Sequence, residues 1–106
     1  MKILVAAKNE GWDARVSDRF GRAAGFSVYD DAKNTLEWIS NSENKQAEHG
    51  VGIQAAQLVA SQKADIVITG GNFGPKASEV IQKTGAKMVG DVGNLTVKEA
   101  IEKYKK

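Results

Sequence analysis

The chain has no cysteine, one proline and one histidine among its 106 residues. Without thiols it can form no disulfide and can supply neither a thiolate nucleophile nor a thiolate metal ligand. Long apolar runs are missing too. The opening KILVAA, residues 2–7, is too short for a membrane span or for the apolar core of a secretory signal. The expectation is therefore a cytoplasmic protein with no membrane contact. Neither sign of charge dominates: fifteen basic and thirteen acidic side chains leave a formal +2, scattered except for the closing KYKK. No basic patch marks a nucleic-acid binder, and the tail reads as a solvated helix end. Repeats, low-complexity tracts and Pro/Ser-rich linkers are absent as well.

What is present suits a compact fold. A 42% hydrophobic and 26% charged composition over 106 residues predicts one domain spanning residues 1–106. A chain of this size buries about two thirds of its unfolded surface, enough for a core without staples. No stripe is left over to demand a partner copy, so the expected state is a monomer.

Glycine punctuates the chain into short elements. Residues Lys2 to Ala7 form a nearly continuous apolar run, as in a central strand covered on both faces. Phe26 to Tyr29 and Thr35 to Ile39, separated by DDAKN, read as a hairpin with Trp38 directed to the core. Ile53, Ala56, Val59 and Ala60 recur at helical spacing over residues 52–63, and Asp65 to Thr69 follows as a short buried strand. Pro75 opens a second helix whose inward stripe is Ala77, Val80 and Ile81 and whose stop is Gly85. Ala86 to Val89 is a fifth strand. Thr96 and Glu99 have the spacing of a capping box, flanked by Leu95 and Ala100 in staple positions, and they open a third helix carrying Val97, Ile101 and Tyr104. The resulting fold class is α/β: a mixed sheet of five strands, the second antiparallel, with three helices.

That strand order gathers several loops at the carboxyl edge of the sheet, where open α/β sheets bind ligands. Lys8, Asn9 and Asp13 follow the first strand, and Phe20, Gly21 and Arg22 precede the second. His49, Gly50 and Gly52 follow the third, and Gly70, Gly71, Asn72 and Gly74 follow the fourth. Two of these loops run into helix N-termini, whose free N–H groups favour an anion. Taken singly, each residue has an ordinary reading: His49 as a capping histidine, Arg22 as a surface charge, Gly70, Gly71 and Gly74 as a tight turn. Their joint placement is what points to an anion site. Neither nucleotide fingerprint is met, because TGGNFGPK lacks the terminal GK[ST] of a P-loop and no GxGxxG follows a strand. Trp12, in a polar loop, is either a flap over this rim or folded back onto the core.

The ordered string DxxVxxxFGRA at residues 13–23, HGxG at residues 49–52 and GGxxG at residues 70–74 resembles the dinitrogenase iron-molybdenum cofactor-binding family, of the NifX and NifB C-terminal type. The resemblance covers essentially the whole chain, and the strands FSVYD and ADIVIT and the closing TVKEAI keep its order and spacing. It implies a three-layer α/β/α ribonuclease H-like fold. It also implies non-catalytic binding or carriage of a metal-sulfur cluster, of iron-molybdenum cofactor or precursor type, with a cluster-donor or acceptor protein as partner. A non-covalently bound molybdenum-copper-sulfide cluster is a related theme.

Such clusters bring their own sulfides and a net negative charge. Under this resemblance the neutral imidazole of His49 takes an open metal position, amides near Gly50 to Gly52 and Gly71 to Gly74 hold sulfide, and Arg22 or Lys8 offsets charge. A single protein–metal bond suits handover better than a closed site. The chain has neither the radical-enzyme domain nor the extra cofactor-handling segments of the nitrogenase-maturation members. An anion- or phosphate-binding module, or a protein-interaction module of regulatory role, is the alternative. Catalysis lacks its constellations: the first strand carries no acid for a two-metal nuclease, Ser17 and Ser40 lie in no GxSxG elbow, and His49 is the sole evident base.

Overall fold

The structure is a computed structural model that describes residues 1–41 and 51–105, with backbone alone at 51 and 52. Five strands, β1 (Lys2–Ala7), β2 (Gly25–Asp30), β3 (Thr35–Ser40), β4 (Ile66–Ile68) and β5 (Lys87–Val89), form one sheet in the order β3-β2-β1-β4-β5. β2 runs antiparallel to β1 and β3, whereas β4 and β5 run parallel to β1. The expected five-stranded mixed sheet with an antiparallel second strand is therefore found. The helices are α1 (Val51–Ser61), α2 (Pro75–Gln82) and α3 (Val97–Tyr104).

The continuous apolar run of β1 has its expected cause. Ile3, Val5 and Ala7 face one way, with Tyr29, Ile66, Ile68 and the α3 residues Val97, Ala100 and Ile101. Leu4 and Ala6 face the other, with Phe26, Val28, Val67 and the stripes of α1 (Ala55, Ala56, Val59) and α2 (Ala77, Ile81). This is the three-layer α/β/α arrangement, and a central strand buried on both faces cannot alternate apolar with polar. Each fully buried Leu, Ile or Phe side chain contributes about 2 kcal/mol.

Two helix termini behave as their sequences require. Pro75 occupies the first turn of α2 after Gly74, whose φ of 83° is a left-handed conformation. At α3 the Thr96 hydroxyl accepts the Glu99 amide at 3.2 Å, and the Glu99 carboxylate accepts the Thr96 amide at 2.9 Å. That reciprocal pair is the expected capping box, and Leu95 and Ala100 pack into the same core beside it. No helix among the described residues is long and apolar enough to cross a membrane.

One edge of the sheet is covered differently from the rest. α3 lies over β1 and β4, so on its side the faces of β2 and β3 are left to Gly25, Ser27, Tyr29, Leu36 and Trp38. Trp38 is only half-buried because β3 is an edge strand, and its indole occupies the space that a side chain at Gly25 would fill. Trp12 folds back onto this face, its ring edge-on to Tyr29 at 5.5 Å with 38% of its surface exposed.

Candidate anion groove at the carboxyl edge

Since β1, β4 and β5 are parallel, their carboxyl ends share one edge, and β2 begins there. The segment leading into β2 is clamped between the strand ends. Ser17 N–H donates to the Ala6 carbonyl at 2.8 Å, while its own carbonyl accepts the Gly70 amide at 2.7 Å and the buried Thr69 hydroxyl at 3.1 Å. The Ser17 hydroxyl accepts the Arg19 amide at 3.3 Å and donates to the Arg19 carbonyl at 3.2 Å, which turns the chain at Asp18. Beyond that turn Phe20 is 1% exposed, with its ring centroid 5.5 Å from Phe26 and 5.1 Å from Phe73. Phe20 is thus the anchor that fixes Arg19, Gly21 and Arg22 at the surface. Asn41, at the end of β3, secures the far side by donating its amide to the carbonyls of Gly21 at 3.2 Å and Ala23 at 3.0 Å.

The loop after β4 meets this turn closely. A side chain at Gly71 would overlap the Asp18 carbonyl oxygen, and one at Gly90 would come within 2.8 Å of the Gly71 carbonyl oxygen. Gly71 also accepts the Asp91 amide at 2.9 Å. Glycine at 71 therefore permits chain to pack on chain. The amides of Asn72, Phe73 and Gly74 find no backbone partner among the described residues, and they lead straight into the open N-terminus of α2.

Between the two loops lies an open groove of about 480 Å³, lined by Asp18, Arg19, Phe20, Gly21, Arg22, Gly71, Asn72, Phe73, Gly74 and Asp91. Two guanidiniums face two carboxylates, so formal charge is balanced. Asp18 Oδ1, however, lies over the backbone of Gly70 and Gly93, close to where their side chains would be. The groups able to meet an anion here are the amide end of α2 and the guanidiniums of Arg19 and Arg22.

The expected residues divide accordingly. Phe20, Gly21, Arg22, Gly71, Asn72 and Gly74 come together in the groove, while Gly70 lies just behind it with its amide committed to Ser17. Gly52 is in the first turn of α1. That end of α1 lies toward the same edge, because the helix spans about 16 Å and its other end approaches the start of β1, where Lys2 Nζ meets the Gln62 carbonyl at 3.5 Å. His49 and Gly50 lie outside the described residues.

Lys8, Asn9 and Asp13 are not brought into the groove. The chain after β1 turns toward α3 instead: Lys98 and Val97 donate their amides to the carbonyls of Trp12 at 3.0 Å and Ala14 at 2.8 Å, and Val16 donates to Leu95 at 3.0 Å. Asp13 consequently borders α3 with Trp12, Tyr29 and Lys98. Sequence reasoning missed Asp18, Arg19 and Phe73. Arg19 was visible as the first arginine of RFGR; the others depend on which loops meet.

A group of three or more metal-ligating side chains is absent among the described residues, and the chain has no cysteine. The groove offers donors to the outer atoms of an anion and no ready-made metal centre.

Known structures share this architecture. The apo form of the orange protein from Desulfovibrio gigas matches with a TM-score of 0.91 at 41% identity, over 97% of this chain and 85% of that one. A Thermotoga protein, described as a candidate NifB protein of the DUF35 family, matches with a TM-score of 0.78 at 28% identity, again over 97% of this chain and 85% of that one. No curated protein matches the chain. The family model described as dinitrogenase iron-molybdenum cofactor matches residues 1–106. The chain belongs to the dinitrogenase iron-molybdenum cofactor family.

Proposed function

We propose that the groove binds an anionic metal-sulfur cluster, of iron-molybdenum cofactor or related type, and holds it reversibly for transfer without catalysis by this domain. The observation that carries this reading is the run Asn72–Gly74, whose amides have no backbone partner among the described residues and continue into the α2 N-terminus opposite Arg19 and Arg22. Amide and guanidinium donors suit sulfide or other anionic ligands on the outside of a cluster. Family membership and a relative solved in an apo form, which implies a loaded one, favour a metal-sulfur guest over other anions. The residues present fit the cluster's surface; any direct bond to metal falls to His49. Weak ligation of this kind favours handover to an acceptor protein.

A second reading, an anion- or phosphate-binding module, is favoured by the lack of a metal-ligating group among the described residues. One experiment separates the two. The protein is titrated anaerobically with tetrathiomolybdate, with and without copper(I), and followed by visible absorbance and metal analysis after gel filtration; inorganic phosphate is titrated in parallel by thermal shift. Cluster uptake that Arg19→Glu weakens about tenfold, and that His49→Ala weakens further, supports the proposal. Uptake unchanged by Arg19→Glu overturns the groove as its site. Stabilisation by phosphate without any metal retention replaces the cluster with the simpler anion.

A further inference from the structure

The α3 side of the sheet carries a second concavity that shares no residue with the groove. It is a notch of about 200 Å³ lined by Glu10, Gly11, Trp12, Ser27, Leu36, Glu37 and Trp38. Its floor is anomalous. Ser27 is 1% exposed, and its hydroxyl has no hydrogen-bond partner among the described residues. A buried hydroxyl is ordinarily satisfied, because burial removes its water and nothing replaces it here. Ser27 pairs in register with Trp38, so the hydroxyl and the indole are cross-strand neighbours on one face. Trp12 supplies a second indole, held by the bond from the Lys98 amide to its carbonyl at 3.0 Å and by its contact with Tyr29.

The notch also departs from the charge of the chain. The protein is formally +2, yet among the described residues the ionisable ones lining this concavity are Glu10 and Glu37, both exposed; Glu37 pairs with Val28, whose side chain lies in the core on the other face, so Glu10 is the carboxylate left to the notch. Indole faces attract cations through their quadrupole, and the Glu10 carboxylate at the border reinforces the same preference. The orphaned hydroxyl adds a further condition: it can donate its own proton or accept another, and a cation, which has no lone pair to offer, can satisfy it only by donating a polar hydrogen. A quaternary ammonium meets the first two conditions and fails the third. A planar guanidinium meets all three: it stacks on indole, pairs with carboxylate and donates N–H bonds.

We infer that this notch is a binding site for a guanidinium or primary ammonium group, which stacks against Trp12 and Trp38, donates an N–H to Ser27 Oγ and is neutralised by Glu10. The group is carried either by a small organic cation or by an arginine or lysine side chain of another protein. The site is independent of the anion groove, so either reading can fail alone.

Both tryptophans of the chain line the notch, so intrinsic fluorescence reports on it directly. The protein is titrated with methylguanidinium chloride against matched sodium chloride, with methylurea as the neutral planar isostere and tetramethylammonium as the cation that cannot donate. The inference requires saturable quenching by methylguanidinium in the millimolar range, with methylurea and tetramethylammonium at least tenfold weaker. Ser27→Ala should lower methylguanidinium affinity several-fold without lowering Tm, because the hydroxyl it removes has no partner to lose. Glu10→Gln should lower affinity while leaving methylurea unaffected. Equal binding of methylurea, no saturation by 100 mM, or unchanged affinity in Ser27→Ala overturns the inference. In a last arm, a capped Gly-Arg-Gly peptide that binds tenfold tighter than methylguanidinium assigns the cation to a protein partner, and equal binding assigns it to a small molecule. Both outcomes uphold the site.

Discussion

The groove lies at the carboxyl edge of the sheet and the notch on its α3 face, and they are built from different material. The groove is framed by backbone, with Gly71 against Asp18, the amides of Asn72–Gly74 and a turn pinned by Ser17, Thr69 and Asn41, and carries Arg19 and Arg22 at its border. The notch is made of side chains set on a regular hairpin, with Trp38 against Gly25, Ser27 beneath and Trp12 folded over. A site of amides tolerates many exchanges around it but not a change in the spacing of its loops. A site of side chains has the reverse sensitivity.

The largest expected effect breaks the groove alone. In Gly71→Ala the new methyl overlaps the Asp18 carbonyl oxygen, and neither partner is a flexible side-chain end. Two loops must separate, with loss of the Gly70–Ser17 and Asp91–Gly71 bonds. Overpacking of this kind typically costs 1–3 kcal/mol, and we expect about 3 kcal/mol here. Urea unfolding should show it as a lowered midpoint, with tryptophan emission of the folded state unchanged. A cost below about 0.5 kcal/mol would mean that the loops are freely adjustable and that the contrast between the two sites is false.

A smaller effect tests the notch. In Gly25→Ala the methyl meets the Trp38 indole and comes within 2.6 Å of the Ile39 carbonyl oxygen. Trp38 is half-buried on an edge strand, so its ring can swing outward and β3, free on its other side in the sheet, can draw back to clear the Ile39 carbonyl, at a cost of about 1–2 kcal/mol. Folded-state emission should shift to the red, and anion or cluster uptake in the groove should stay at the wild-type level. Loss of uptake would show the two sites to be coupled through β2.

How much of this was legible in the residues follows from the same division. β1 was readable because five consecutive residues, Ile3 to Ala7, face cores on both sides, and the third helix because Thr96 and Glu99 are a local pair whose bonds need no tertiary partner. Local chemistry also revealed Pro75 after Gly74. The groove was half legible: RFGR and GGNFG stand out, but their meeting depends on Ser17 threading between β1 and β4. Lys8, Asn9 and Asp13 do not line the groove for a reason that no short motif contains, since the loop after β1 finds partners at Leu95, Val97 and Lys98, some eighty residues along the chain. Ser27 was invisible because its oddity is a missing partner, and that exists only once the register with Trp38 is set.

The smallest expected effect sharpens the contrast through pH. The loop that carries Trp12 is tied to the first turn of α3 by the bonds from Val97 and Lys98, whereas the groove makes no use of that helix. Glu99 holds the cap there, and its carboxyl lies below its ordinary value of 4.5 because it accepts the Thr96 amide, with help from the Thr96 hydroxyl and from Arg15. A lowered folded value means that acid protonates the unfolded chain first. The capping contribution is therefore complete above about pH 5.5 and is lost progressively as pH falls below 4.5 and through the folded value. Thr96→Ala, which removes one half of the cap, should cost about 1 kcal/mol at neutral pH. Between pH 6 and pH 3, the difference in Tm between wild type and Glu99→Gln should shrink toward zero, and in the wild type Trp12 should become more accessible to acrylamide before the groove loses anion affinity. If both sites weaken together on acidification, the cap serves the whole fold and the two faces do not respond separately; if only the tryptophan signal moves, α3 and its capping box act as the local support of the notch.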